Sequence, residues 1–254
     1  MDYIKFFTNY SLEFKTRFPQ FYEAFHLKEI HCKNVAVEAV KIGEKLCLTS
    51  EELKFCELIG LFHDMGRFPQ FAEFKTFNDL ISCDHGKKSV LEAIRTNLVF
   101  KIEKEKRDVF LSSLFFHNKK KMPEFKQSKK HIKSFFLKIL RDADKLDIYR
   151  VVCQNYLGTN KNSKIISMNF EDSGEISPKI ISDILNHKPA SITAVKSLTD
   201  LKLSQMSWVF DLNFKFSIEQ VKKKQIPEII FSTITPSKKS EICFKKIMEF
   251  LKPF

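Results

Sequence analysis

The sequence predicts an all-α protein. Apolar residues recur at helical spacing through most of the chain, and residue types that start and stop helices punctuate the runs. From about 28 to 47, Ile30, Val35, Val37, Val40 and Ile42 keep that spacing, with Gly43 near the end. A second helix begins near Ser50, where Glu51 and Glu52 in the first turn suit the helix dipole. It runs through Cys56, Leu58, Ile59 and Leu61 to Asp64, and Gly66 and Pro69 punctuate its end. Ser82 or Asp84 can cap a third helix from about 86 to 98. A fourth runs from about 106 to 117. A fifth carries Phe135, Phe136, Ile139, Leu140, Ala143, Ile148 and Val151.

After Tyr156 the stretch from Gly158 to Ser163 is a polar break. Residues from about 177 to 254 read as helices again, with loops near Pro189, Pro227 and Pro236. Short strands stay open at Ile165-Ile166 and Ile229-Ile230-Phe231. The chain thus divides into a core over 1–156 and a mostly helical C-terminal extension over 157–254, packed on that core.

Composition narrows the function. The 254 residues are long enough to bury a real core, and phenylalanine supplies 27 of them, so that core is packed largely with rings. Only 6 glycines occur, and neither a Walker A loop nor G-x-G-x-x-G is present. The 6 cysteines form no C-x-x-C pair, which argues against a zinc knuckle or a disulfide framework and makes a reducing cytoplasm the default. Charges interrupt the N-terminus, so it does not read as a signal peptide, and no apolar run spans a bilayer. The net charge of +12 is carried mainly by lysine. A positive field of this kind would attract phosphorylated or nucleic-acid ligands, while a solvated lysine-rich surface accounts for most of the charge. Nucleic acid is not the favoured partner, because Lys119-Lys120-Lys121 and Lys222-Lys223-Lys224 lack aromatic interleaving.

The chemistry lies in four imidazoles and two carboxylates. His63 and Asp64 are adjacent in an apolar setting, His31 precedes them, and His85, His117 and Asp144 follow. Neighbouring helix residues differ by about 100° in direction, so His63 and Asp64 can flank one site from one turn. Imidazole and carboxylate without thiolate suit Fe, Mn, Co, Ni or Zn better than Mg or Ca. A carboxylate has two oxygens and can bridge two ions, which makes Asp64 the natural bridge. His26, His131 and His187 fit no such pattern.

The order His, His-Asp, His, His, Asp resembles the HD superfamily of metal-dependent phosphohydrolases in its dinuclear form, over residues from about 26 to 153. Further stretches are similar to a bacterial HD subfamily of unassigned substrate. They are His63 to Gln70, Thr76-Phe77-Asn78-Asp79, His117 to Lys121, Arg141 to Asp147, and Trp208 to Phe214. The chain departs from that pattern at Cys32, where Thr is commoner, and at Gly86, where Ala is commoner. The resemblance implies an HD-domain helical bundle with two divalent transition-metal ions, Fe or Mn first, then Co, Ni or Zn. His31, His63, Asp64 and Asp144 would hold one ion. His85 and His117, with bridging Asp64, would hold the other. Among the neighbouring acids the pattern matches Asp144, the one directly before Lys145, and leaves Asp142 and Asp147 to support ligands or face solvent.

Two ions about 3.5–4 Å apart can acidify a water and clamp a phosphoryl group. Asp64, Arg67 and Lys145 are then the catalytic candidates, and Arg67, Asn118, Lys119 and Lys145 the substrate-binding ones. Arginine's forked donors suit phosphate; a helix-end charge pairing with exposed carbonyls is the other reading of Arg67. The expected activity is hydrolysis of a phosphate ester or anhydride in a nucleotide, dinucleotide or cyclic nucleotide. Two alternatives share these residues: a di-iron oxygenase of HD type, and a non-catalytic regulator that binds nucleic acid or protein.

Overall fold

The computed structural model describes residues 1–125, 130–158 and 170–254. Every regular element among them is a helix and none is a strand, so the all-α class stands. The chain forms two compact units, Met1–Asp147 and Ile148–Phe254. No helix among the described residues is long and apolar enough to cross a membrane.

The first unit opens with α1 (Tyr3–Arg17), capped by Asp2, whose carboxylate accepts from the Lys5 amide. The helical reading above did not include α1. Its buried face is Phe7, Tyr10 and Ser11. Then come α2 (Tyr22–Lys45) and α3 (Ser50–Phe62), which pack on each other more than any other pair. Thr49 and Glu52 form a reciprocal capping box that fixes the start of α3. Next are α4 (Arg67–Phe74), α5 (His85–Arg95), α6 (Lys104–Phe116) and α7 (Lys130–Tyr156). Pro69 does not end a helix. It lies in the first turn of α4, where its missing N–H has no intrahelical acceptor to lose. Asp84, not Ser82, caps α5, accepting from the amides of Gly86 and Lys87.

Rings fill the centre of this unit, as the phenylalanine content suggested. Phe62 meets Phe7 edge-on at 5.6 Å between centroids, and Phe25 stacks on Phe68 at 5.9 Å. Phe62 and Phe68 flank the His63–Arg67 turn, so that turn is backed by close-packed aromatic surface.

Two glycines set the approach of α5. A Cβ on Gly66 would stand 2.4 Å from the Ser89 nitrogen and 2.5 Å from the His85 oxygen. A Cβ on Gly86 would stand 2.9 Å from the Phe115 oxygen and 3.0 Å from the Leu114 oxygen. The bare Gly66 lets the first turn of α5 lie against the His-Asp turn, and its amide donates to Ser89 Oγ at 2.9 Å. Gly86 does the same for α5 against the end of α6. This explains how His85, on a short connection from Asp64, is brought to it, and why alanine does not follow His85 here.

The second unit contains the end of α7, then α8 (Pro178–Leu185), α9 (Leu198–Met206), α10 (Lys215–Lys223), α11 (Ile226–Phe231) and α12 (Lys238–Leu251). Helix α9 is buried from Thr199 to Met206 although half its residues are polar. Each of those finds a partner: Asp200 accepts from Ser177 and Lys196, Lys202 donates to the Thr233 carbonyl, and Gln205 accepts from Tyr149 and Tyr156. Ile229-Ile230-Phe231, left open as a strand, belongs to α11, and Pro227 starts that helix instead of marking a loop. The other open strand, Ile165-Ile166, and most of the polar break lie outside the described residues.

Candidate metal centre

The fold brings all six expected ligands together inside the first unit. His31 comes from the middle of α2, and His63 and Asp64 from the turn after α3. His85 is the first residue of α5, His117 follows the last residue of α6, and Asp144 lies on α7. All are buried except Asp144, which is partly accessible.

Each imidazole is anchored through Nδ1. His63 Nδ1 lies 2.7 Å from the Gly60 carbonyl and His117 Nδ1 2.8 Å from the Leu114 carbonyl. A carbonyl oxygen only accepts, so the proton must sit on Nδ1 and leave Nε2 with a lone pair. His31 Nδ1 lies 2.8 Å from Asp147 Oδ2, and His85 Nδ1 2.5 Å from Asp79 Oδ2, with the same consequence. Four Nε2 lone pairs therefore face inward.

They converge on two carboxylates. His31 Nε2 is 3.1 Å from Asp144 Oδ1 and 3.6 Å from Asp64 Oδ2. His63 Nε2 is 3.6 Å from Asp144 Oδ1 and 3.7 Å from Asp64 Oδ2. On the other side, His85 Nε2 is 3.4 Å and His117 Nε2 3.5 Å from Asp64 Oδ1. The two nitrogens of His85 and His117 stand 3.0 Å apart.

Most of these separations are too long for hydrogen bonds. They lie at or within a few tenths of an ångström of the edges of a coordination shell, since donors bound at about 2.1 Å to one ion stand roughly 3.0–3.4 Å from each other. His31 Nε2, His63 Nε2, Asp64 Oδ1 and Asp144 Oδ1 are all buried without a hydrogen-bond partner. Buried polar atoms left in that condition are costly unless a cation joins them. Three groups have ligand atoms within 4.8 Å of one another: His31, His63 and Asp64; His63, His117 and Asp144; and Asp64, His85 and His117. The donor set fits transition-metal ions.

The electrostatics agree. Burial pushes the Asp64 carboxyl up, but Lys28, His63 and Arg67 outweigh it and hold it well below the usual range. Burial likewise pushes the Asp144 carboxyl up, but contact with His31 and His63 outweighs it and holds it well below the usual range. Burial lowers His63, and burial with the Arg67 charge takes His85 down to about 3, so both rings stay neutral and available as ligands. His31 is pushed down by burial and Lys28 and pulled up further by Asp144 and Asp147. Its Nε2 sits where positive charge is favoured. Cys32, next to His31, is buried with its thiol pushed well up by that burial, and it joins none of the ligand groups.

The remaining candidates surround the cluster. Arg67 Nε is 3.6 Å from Asp64 Oδ1, while its Nη1 donates to Gln70 Oε1, the Phe77 carbonyl and Asp79 Oδ1. Asn118 donates to Asp84 Oδ1 at 2.9 Å and Asp79 Oδ2 at 3.2 Å. Lys119 is ion-paired with Asp84 and lies over the Phe115 ring. Lys145 follows Asp144 on α7 and is half-buried.

Three residues join the site that had no role assigned from the sequence, or had only an open one. Lys28 donates to Asp64 Oδ2 at 2.8 Å. It lies three residues before His31, so one helix face carries both, which is the signal that spacing offered. Asp147 stands three residues after Asp144 and shares its face; of the two roles left open for it, support of a ligand is the one the geometry supplies. Asp79 gave no periodic signal because it opens a single 3-10 turn in the connection between α4 and α5. It accepts from His85, Arg67, Gln70 and Asn118 together.

All four partners of Asp79 are donors, so Asp79→Asn cannot satisfy them. Its amide nitrogen would face a donor, and His85 would shift its proton to Nε2. Metal affinity is expected to fall about 10–100-fold, with little change in melting temperature. Calorimetric metal titration of variant and wild type measures this, and an unchanged affinity would count against the tautomer assignment.

The model of the family described as SidE phosphodiesterase (PDE) domain matches residues 24–224. That span takes in all six candidate ligand residues. No curated protein and no solved structure matches the chain.

Proposed function

The chain belongs to the SidE phosphodiesterase domain family, and from that premise we propose that its phosphodiesterase activity depends on a dinuclear metal centre of HD type. The substrate in this reading is a nucleotide, dinucleotide or cyclic nucleotide. One observation carries it: four imidazoles, each fixed through Nδ1, aim Nε2 at two carboxylates, of which Asp64 Oδ1 and Asp144 Oδ1 are buried with no hydrogen-bond partner.

His31, His63, Asp64 and Asp144 would hold one ion, and His85, His117 and Asp64 the other. Divalent transition ions, Fe or Mn first, would supply Lewis acidity to water and to a phosphoryl oxygen. Asp64 would be the residue shared by the two ions, because its Oδ2 faces His31 and His63 while its Oδ1 faces His85 and His117. Asp147, Asp79 and the Gly60 and Leu114 carbonyls hold the rings still, so no donor has to reorganise during turnover. Arg67 and Lys145, next to the two carboxylate ligands, provide positive charge for phosphoryl oxygens. Asn118 and Lys119 complete the phosphate side beyond His117.

Metal analysis of the purified protein, with a panel of nucleotides, cyclic dinucleotides and phosphomonoesters, tests the reading. Two ions per chain are expected. Chelation should abolish phosphodiester hydrolysis, and Mn or Fe should restore it. Hydrolysis that persists at full rate in a metal-free preparation would sink the proposal.

A further inference from the structure

We propose that Lys28 is a substrate-binding residue, its ammonium forming with the Phe77 ring an anion subsite at the rim of the metal centre for a phosphodiester oxygen. The inference rests on the phosphodiesterase reading and adds a residue to it.

Lys28 Nζ lies 2.8 Å from Asp64 Oδ2 and 5.3 Å from the centroid of the Phe77 ring. The Arg67 guanidinium lies 5.9 Å from the same centroid. One half-buried ring thus has two cations over it beside the carboxylate that joins the two halves of the site. These cations differ in how their charge is used. Arg67 approaches Asp64 at 3.6 Å but is held at 2.8 Å by Asp79, and Lys119 is ion-paired with Asp84, two carboxylates outside the ligand set. The one carboxylate paired with Lys28 among the described residues is Asp64 itself.

That pairing changes once Asp64 serves cations. Its charge is then shared, and the ammonium stands beside like charge in a poorly solvated position, with a side chain 16% accessible. An anion relieves this. A phosphodiester carries one negative charge over two non-bridging oxygens, so one oxygen can face the metal centre while the other accepts from Lys28. Helix α2 fixes the register, since Lys28 and His31 are one turn apart on it.

The test uses the full chain, Lys28→Met and Lys28→Arg, with bis(4-nitrophenyl) phosphate as substrate, inorganic phosphate as inhibitor, and bound metal measured throughout. Lys28→Met should raise both KM and the phosphate inhibition constant about tenfold or more, with unchanged metal content, and Lys28→Arg should recover most of the loss. Unchanged KM and inhibition in Lys28→Met would overturn the inference. So would loss of bound metal in both variants, because Lys28 would then serve Asp64 and not the substrate. If the wild type hydrolyses no diester, the phosphodiesterase reading fails by itself. Calorimetry of inorganic phosphate on metal-loaded wild type and Lys28→Met still decides the subsite: weaker binding in the variant supports it, equal binding removes it.

Discussion

Asp64→Ala is expected to lower kcat/KM on the order of a thousandfold and to leave the protein unable to retain a pair of ions. No other ligand has one oxygen toward His31 and His63 and the other toward His85 and His117. Removing it separates the two halves of the cluster and leaves Lys28 and Arg67 without the charge they face. A buried cation stripped of its partner is destabilising, so Asp64→Asn, which keeps the shape, serves as the companion variant. Metal content and a melting curve with and without Mn distinguish the effects. The wild type should melt higher with metal, as any ligand bound only by the native state requires; both variants should show a much smaller gain. Wild-type turnover in Asp64→Asn would remove Asp64 from the mechanism.

Gly66→Ala should have the largest effect of any change that touches no ligand. The new methyl group would overlap backbone atoms of Ser89 and His85, and backbone cannot swing aside as a flexible side chain can. The first turn of α5 must therefore retreat, taking His85 with it. Overpacking of this kind destabilises by about 3 kcal/mol, which lowers Tm by roughly 6–12 °C in a chain of this size. The variant should keep the ion held by His31, His63, Asp64 and Asp144 and lose the one that needs His85. Calorimetric titration showing one site in place of two, beside the melting curve, would bear this out. A variant that melts and titrates like the wild type would show that α5 can adjust, and that Gly66 is not what seats His85.

Much of this site was legible in the sequence, for a physical reason. Few side-chain types bind metal ions, and helices make their spacing regular, so His31, His63, Asp64, His85, His117 and Asp144 stand out in order in the sequence and lie together in the fold. Helix starts at Ser50 and near Asp84 were readable because capping is local chemistry. What supports the ligands was not readable to the same degree. Asp79 acts from a connection whose path no periodicity fixes, and Lys28 belongs to no motif. Among three nearby acids, composition alone could not say that Asp147 and not Asp142 would reach His31. Helix α1 escaped notice because few of its residues are buried. The resemblance to HD enzymes led to phosphate-bond hydrolysis, and the family match gives phosphodiesterase.

The anchoring of all four rings at Nδ1 bears on which element the protein would use. A frame tied off on every side does not reshape itself around the occupant, so the geometry it imposes would be its means of favouring one ion over competitors that bind nitrogen donors more avidly, copper and zinc among them. Supply would then decide only among the ions that suit that geometry.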